Sequence, residues 1–226
     1  SRSLACHTKV KKIESNTLIL LTTKVHDSKK AINSIKHLVK KDTIIFGIPR
    51  GGAEIGFQLS KILKLPLEVI ITKKIGYPGN EEYAIGAVGP GKEYILNEDV
   101  AGGKEVNHDY IDEEVERLNE LIEKRYKLYK RKRFPDIKNK TIILVDDGIA
   151  TGNTAKLSIL LLKKQKPKKI ILAVPVGSKD SIKMLEKYAD EVVCLEMPLN
   201  FFAIGQFYEN FVQVSDEQVI KYLSKV

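Results

Sequence analysis

Only two cysteines, Cys6 and Cys194, occur among 226 residues, far apart and in no CxxC pair. That excludes a disulfide framework and a thiolate-built zinc site, and leaves both as expected reduced thiols. Long apolar runs are missing as well: the longest candidates, Leu18–Leu21 and Leu157–Leu162, fall far short of the ~18 residues that a membrane span needs. No basic segment leading into an apolar run and a small-residue cleavage site opens the chain, so the expectation is a cytoplasmic protein. Ser1 in place of Met leads us to expect a trimmed end. No internal repeat and no Gly-, Ser- or Pro-rich linker divides the sequence, and residues 1–226 read as one domain. The pattern GxxxxGK[ST] is lacking, which argues against a nucleotide hydrolase or phosphate-transfer protein. The four histidines (His7, His26, His37, His108) lie outside the motifs described below, so neither a metal cluster nor a histidine base has support.

What is present is positive charge. Thirty-eight Lys and Arg against 29 Asp and Glu give a net charge of +9, which favours anionic partners, either phosphorylated small molecules or nucleic acid. The bases fall in short clusters (Lys29–Lys30, Lys40–Lys41, Lys130–Arg133, Lys163–Lys169) near expected helix ends, where they complement the helix dipole. Helix-turn-helix, zinc-finger and aromatic RNA-binding signatures are all lacking.

Short β-branched runs alternate with amphipathic segments along the chain, the pattern of a mostly parallel central sheet flanked by helices, an α/β fold. Expected strands are 17–21, 43–48, 67–72, 141–145, 169–174 and 191–195. Expected helices are 28–40, 51–63, 109–132, 151–164, 180–188 and a short one from Asp216. Over 73–101 regular periodicity gives way to turn-forming glycines and prolines, predicting a long flexible loop with at most a short strand at 94–96. An irregular, aromatic-rich stretch spans about 197–215.

The segment that carries chemistry is Ile142-Ile143-Leu144-Val145-Asp146-Asp147-Gly148-Ile149-Ala150-Thr151-Gly152-Asn153-Thr154. A buried strand runs into two adjacent carboxylates, then a small-residue turn directly before a helix. At the carboxyl edge of a parallel sheet this turn would aim backbone N–H groups and the hydroxyls of Thr151 and Thr154 at an anion, backed by the helix dipole. Asp146 and Asp147 can accept hydrogen bonds from vicinal sugar hydroxyls or meet a magnesium ion through water. A pentose 5-phosphate satisfies both features.

VDDGIATGNT closely resembles the signature with which type I phosphoribosyltransferases bind 5-phosphoribosyl 1-diphosphate (PRPP). The resemblance implies that Asp146 and Asp147 contact the ribose hydroxyls and that Gly148, Ile149, Ala150, Thr151, Gly152, Asn153 and Thr154 hold the 5-phosphate. Ala150 departs from the hypoxanthine-guanine branch, which has an Asp there to move a proton at the base. Ile48-Pro49-Arg50-Gly51-Gly52 looks like the family's pyrophosphate loop, with Arg50 adding charge and Gly51 admitting a diphosphate to the backbone. Lys73 and Lys74, placed at the end of a strand, resemble the family's basic strand-end residue, and either one can face the site.

Residues 76–88 look like the family's flexible lid, where Glu81 and Glu82 either steer an acceptor or solvate the loop. The stretch from about 197 to 215 occupies the place of the variable hood over the acceptor, with Phe202, Phe207 and Tyr208 offering aromatic faces to a flat base. From about Val25 to Gln218 the chain is most similar to uncharacterised members sharing IPRGG, KK-G-PGN-E-AIGAV and VDDGIATG. The family implies Mg2+, a homodimer, and transfer of the phosphoribosyl group from PRPP to a nitrogenous acceptor such as a nucleobase, as in nucleotide salvage. The alternative is a non-catalytic regulator that senses PRPP and binds nucleic acid.

Overall fold

Strands that carry apolar, β-branched residues on both faces are stable only when both faces are covered, and the runs TIIFG, TIILV and KIILAVPV meet that condition here. The computed structural model describes residues 37, 39–97, 106–131 and 134–226. In chain order the elements are β1 (Thr43–Gly47), α1 (Gly51–Leu63), β2 (Leu67–Val69), β3 (Lys73–Tyr77), β4 (Asn80–Val88), β5 (Tyr94–Leu96), α2 (His108–Leu128) and β6 (Thr141–Val145). There follow α3 (Asn153–Lys164), β7 (Lys169–Val176), α4 (Lys179–Leu185), β8 (Glu191–Glu196) and α5 (Asp216–Leu223). The strand expected over 17–21 lies outside the described residues, as does nearly all of the helix expected over 28–40.

The five-stranded sheet has the order β2-β1-β6-β7-β8, every pair parallel, as the alternation predicts. Side chains alternate across it. Ile45, Ile143, Val145 and Ile171 pack with the apolar faces of α1, α2 and α5, whereas Phe46, Ile142, Leu144 and Leu172 pack with α3 and α4 on the other side. No helix among the described residues is long and apolar enough to cross a membrane.

The order of the strands matters for function. From β1 the chain turns outward to β2, and from β6 it turns the opposite way to β7, so the succession reverses between β1 and β6. Connections that leave the carboxyl ends of two such strands diverge and open a crevice between them. In this protein those connections are 48–50 and 146–152.

The stretch expected as a long irregular loop is different. Residues 73–96 form a second, three-stranded antiparallel sheet, β3-β4-β5, and only 98–105 lie outside the described residues. Its glycines, read from sequence as breakers, serve the sheet. Gly79, at φ +78°, makes the tight Pro78-Gly79 turn between β3 and β4, a conformation that a side chain would strain. The expected short strand at 94–96 is present. From α2, Tyr110 donates a hydrogen bond to the carbonyl of Gly76 (2.9 Å), and the Lys92 N–H reaches Asn119 Oδ1 (3.1 Å). Ile75, Ile85 and Val88 complete the interface as part of the core.

Tyr126 fastens the chain between β2 and β3, just before the lysine pair. Its buried hydroxyl accepts the Ile71 N–H (3.3 Å) and donates to the carbonyl of Val69 (3.0 Å). Tyr126→Phe leaves both backbone groups without that partner, and should cost about 1–3 kcal/mol in urea-denaturation free energy with little change in m-value.

Candidate active site

The crevice is built where two backbones meet. Ile48 donates its N–H to the carbonyl of Val145 (2.9 Å), which joins the connection after β1 to the end of β6. A Cβ on Gly52 would lie 2.5 Å from the Val145 oxygen and 3.0 Å from the Asp146 Cα, and a Cβ on Gly51 would run into the Asp147 carboxylate. Glycine is therefore needed at both positions for close approach, not for flexibility. The Pro49–Arg50 peptide is cis. Arg50 stands exposed at the N-terminus of α1 and donates to Gln213 Oε1 at 3.4 Å.

Asp146 and Asp147 leave β6 side by side. The Asp147 N–H caps Asp146 Oδ1 at 2.9 Å. Burial pushes the Asp146 carboxyl well above the usual aspartate range, the Asp147 charge pushes it further, and N–H donation from Asp147 and Gly52 offsets only part of the rise. Burial also raises Asp147. Glu54, in the first turn of α1, is raised by burial too, against a hydrogen bond from Tyr222.

After the pair the turn is stitched to β7. Ile149 gives its N–H to the Val176 carbonyl (2.9 Å), and its own carbonyl accepts the Ser178 N–H (2.9 Å). Ser178 and Ser181 both donate their hydroxyls to the Ala150 carbonyl, at 2.9 and 2.6 Å. Ile149 thus anchors the turn and does not lend its N–H to the crevice. Gly152, at φ +75°, then starts α3 without a side-chain cap.

Among the described residues, that lack of a cap separates two helices from the other three. Asn107, Ser178 and Ser215 cap α2, α4 and α5 with their side chains, whereas α1 and α3 have no side-chain cap. These two are the helices whose N-termini face the crevice. Their first-turn N–H groups and dipoles present positive potential beside two carboxylates, an arrangement suited to a ligand with both anionic groups and hydroxyls. Thr151, Asn153 and Thr154 are exposed around the α3 N-terminus.

Two clefts open from this centre. One, about 450 Å³, is walled by Ile48, Pro49, Thr72, Lys73 and Thr154. It separates the two lysines: Lys73 lines it and Lys74, also exposed, does not. The pair opens β3 and does not end the preceding strand, because β2 stops at Val69. The second cleft, about 310 Å³, joins Arg50, Gly51, Glu54, Asp147, Tyr208 and Gln213.

The three aromatic residues expected over an acceptor separate. Tyr208 is buried at the second cleft, hydrogen-bonds through its hydroxyl to the Asp147 carbonyl, and lies 5.2 Å from the Phe211 ring centroid. Burial, reinforced by the Asp147 and Asp146 charges, raises its pKa and keeps that hydroxyl protonated. Phe207 stacks on Phe201 at 5.4 Å beside Val176 and Leu195, and Phe202 is 87% exposed. Neither lines a cleft.

The sequence reading missed Glu54, and also Lys124 and Arg125 of α2, which line the first cleft. Glu54 follows Gly51 by three residues, one helical turn below a glycine already singled out. Lys124 and Arg125 belong to no motif, and only the fold brings them beside Lys73 and Thr154.

Comparison with known proteins decides the family, because the model of the phosphoribosyl transferase domain matches residues 24–211. The chain belongs to the phosphoribosyl transferase domain family. Over 194 residues it is 39% identical to proteins provisionally named phosphoribosyl transferases in two strains of Mycobacterium tuberculosis, covering 84% of this chain and 43% of theirs. The chain thus spans less than half the length of those relatives. The crystal structure of protein TT1426 from Thermus thermophilus superposes with a TM-score of 0.77 at 31% identity, covering 93% of this chain and 96% of that one. In this phosphoribosyl transferase domain the connections 48–50 and 146–152 both fall within the matched span.

A carboxyl with a higher pKa in the folded than in the unfolded protein binds its proton more tightly when folded. The fold is then penalised above the raised value and relieved as pH falls from that value toward the ordinary aspartate one. Asp146→Asn should therefore raise the melting temperature at about pH 8, each kcal/mol relieved being worth roughly 2–4 °C. Calorimetric scans across pH should show the gain shrinking toward acid, and a variant that melts lower at high pH would refute the penalty.

Proposed function

We propose that this domain is a magnesium-dependent phosphoribosyltransferase, which transfers the 5-phosphoribosyl group of PRPP to a nitrogenous acceptor, a nucleobase, and releases diphosphate. The observation that carries the reading is the pairing of two uncapped helix N-termini with a half-buried Asp-Asp pair at the point where the strand order reverses. Family membership supports it. In this reading the turn 148–154 binds the 5-phosphate through the α3 N-terminus and the hydroxyls of Thr151 and Thr154. Asp146 and Asp147 hold the ribose hydroxyls, and the diphosphate lies against Arg50, Gly51 and Lys73.

A divalent cation fits this donor set. Burial raises both carboxyls and the Asp147 charge raises Asp146 further, strains that a cation would relieve, while no cluster of three or more His, Cys, Asp and Glu suited to a metal occurs among the described residues. Asp146 and Asp147 would hold the ion directly or through water, the donor supplying further oxygens. The chemistry Mg2+ supplies when bound is neutralisation of the charge gathering on the diphosphate.

The protein's own groups act by position and charge. As the C1–oxygen bond breaks, its electron pair leaves with the diphosphate, and the cations of Arg50 and Lys73 offset the charge developing there. The lone pair of the acceptor nitrogen forms the new bond to C1 from the opposite face, with inversion. The second cleft receives the acceptor. Tyr208 supports the connection beneath it, and Glu54 and Gln213 offer hydrogen-bonding groups at its wall. No covalent nucleophile is required.

Calorimetric titration with PRPP, with and without magnesium, tests the reading. Binding that needs magnesium, and falls at least about tenfold in Asp146→Asn/Asp147→Asn, is the expected result, with diphosphate release once the right base is added. Failure of the unmutated protein to bind PRPP would sink the assignment, and salt-sensitive retention on oligonucleotides alongside PRPP binding would favour a regulator.

A further inference from the structure

Helix α2 carries two faces. Ile111, Val115, Leu118, Ile122 and Tyr126 form its core face, and Leu121, Lys124, Arg125 and Leu128 repeat at i, i+3, i+4, i+7 on another, which lines the cleft of Lys73, Pro49 and Thr154. A solvated helix face has no need of large apolar residues, yet Leu121 and Leu128 are 39% and 45% exposed there.

The two cations on this face are held differently. Arg125 is committed: it pairs with Asp216 at 2.6 Å, donates through Nε to the Tyr129 hydroxyl at 3.0 Å, and lies over that ring at 5.3 Å. Among the described residues Lys124 pairs with Glu120 alone, at 3.7 Å one helical turn away, with both side chains more than 60% exposed. Such a pair is worth little, so the ammonium is available to a stronger anion. Lys73 makes no ion pair among the described residues. The cleft therefore collects two loosely held ammonium groups, a third fixed cation and the Thr154 hydroxyl beside the apolar side chains of Leu121 and Leu128, a concentration of positive charge that attracts an anion.

We infer that Lys124 is a binding residue for the donor's diphosphate, acting with Lys73 in the cleft that both line. The assignment rests on the phosphoribosyl-donor reading for its ligand. Its chemistry is that of a flexible point charge, which follows a leaving group as it separates, in contrast to the fixed fork of Arg125.

The test is calorimetry of the full chain with inorganic diphosphate in magnesium buffer and, separately, with ribose 5-phosphate. Lys124→Ala should weaken diphosphate binding about tenfold, leave ribose 5-phosphate and the melting temperature unchanged, and be largely restored in Lys124→Arg. Unchanged diphosphate affinity in Lys124→Ala, equal weakening of both ligands, or no diphosphate binding by the unmutated protein would each overturn the inference. Diphosphate binding through Lys124 in a protein that ignores PRPP would instead sink the transferase reading and leave this cleft standing.

Discussion

The register between β1 and β6 is the constraint on which the site depends. Five consecutive residue pairs, from Thr43 opposite Thr141 to Gly47 opposite Val145, bring both strands to an end at the same height. Both connections must therefore begin together, and the Ile48 to Val145 hydrogen bond extends the ladder one step past the sheet. A slip by one residue would exchange the two faces of β6, sending Ile143 and Val145 toward α3 and Ile142 and Leu144 toward α1. It would also separate Gly51 from Asp147. The apolar pattern that secures the core is thus what brings glycine and carboxylate together.

Electrostatics at the crevice work against the fold. Two carboxylates are held partly buried next to one another, and two helices go without side-chain caps, although Asn and Ser caps occur elsewhere in the same chain. Helices and acids that served stability alone would be capped and solvated. The unmet needs are complementary in sign, positive at the helix ends and negative at the pair, so a ligand with phosphate at one end and hydroxyls and a bound cation at the other meets both together.

The most legible parts of the sequence were those whose physics is local. The run from Ile142 to Thr154 encodes strand, acids, turn and helix in succession, and each lies within a residue or two of its expected place. The parallel sheet followed from the alternation of short β-branched runs with amphipathic segments. Residues 73–96 were illegible because a glycine that ends a helix can equally make a tight turn in a meander, and only the partner strand distinguishes the two. The cleft face of α2 escaped because the helix was legible only through its core-facing spacing, and its other face acquires meaning only beside Lys73 and Thr154. Which of Lys73 and Lys74 looks inward depended on where β3 begins, a property of the second sheet.

Tyr208 joins the most variable-looking part of the chain to its most constrained part. Its hydroxyl rests on the carbonyl of Asp147, within the peptide unit that leads out of the acid pair, while its ring meets Phe211 in the segment that closes the second cleft. The connection after β6 and the segment that walls the second cleft therefore share a mechanical joint. On the proposed reading, residues 197–213 can change to suit another acceptor while that contact survives, so acceptor choice can diversify without donor recognition having to be built again.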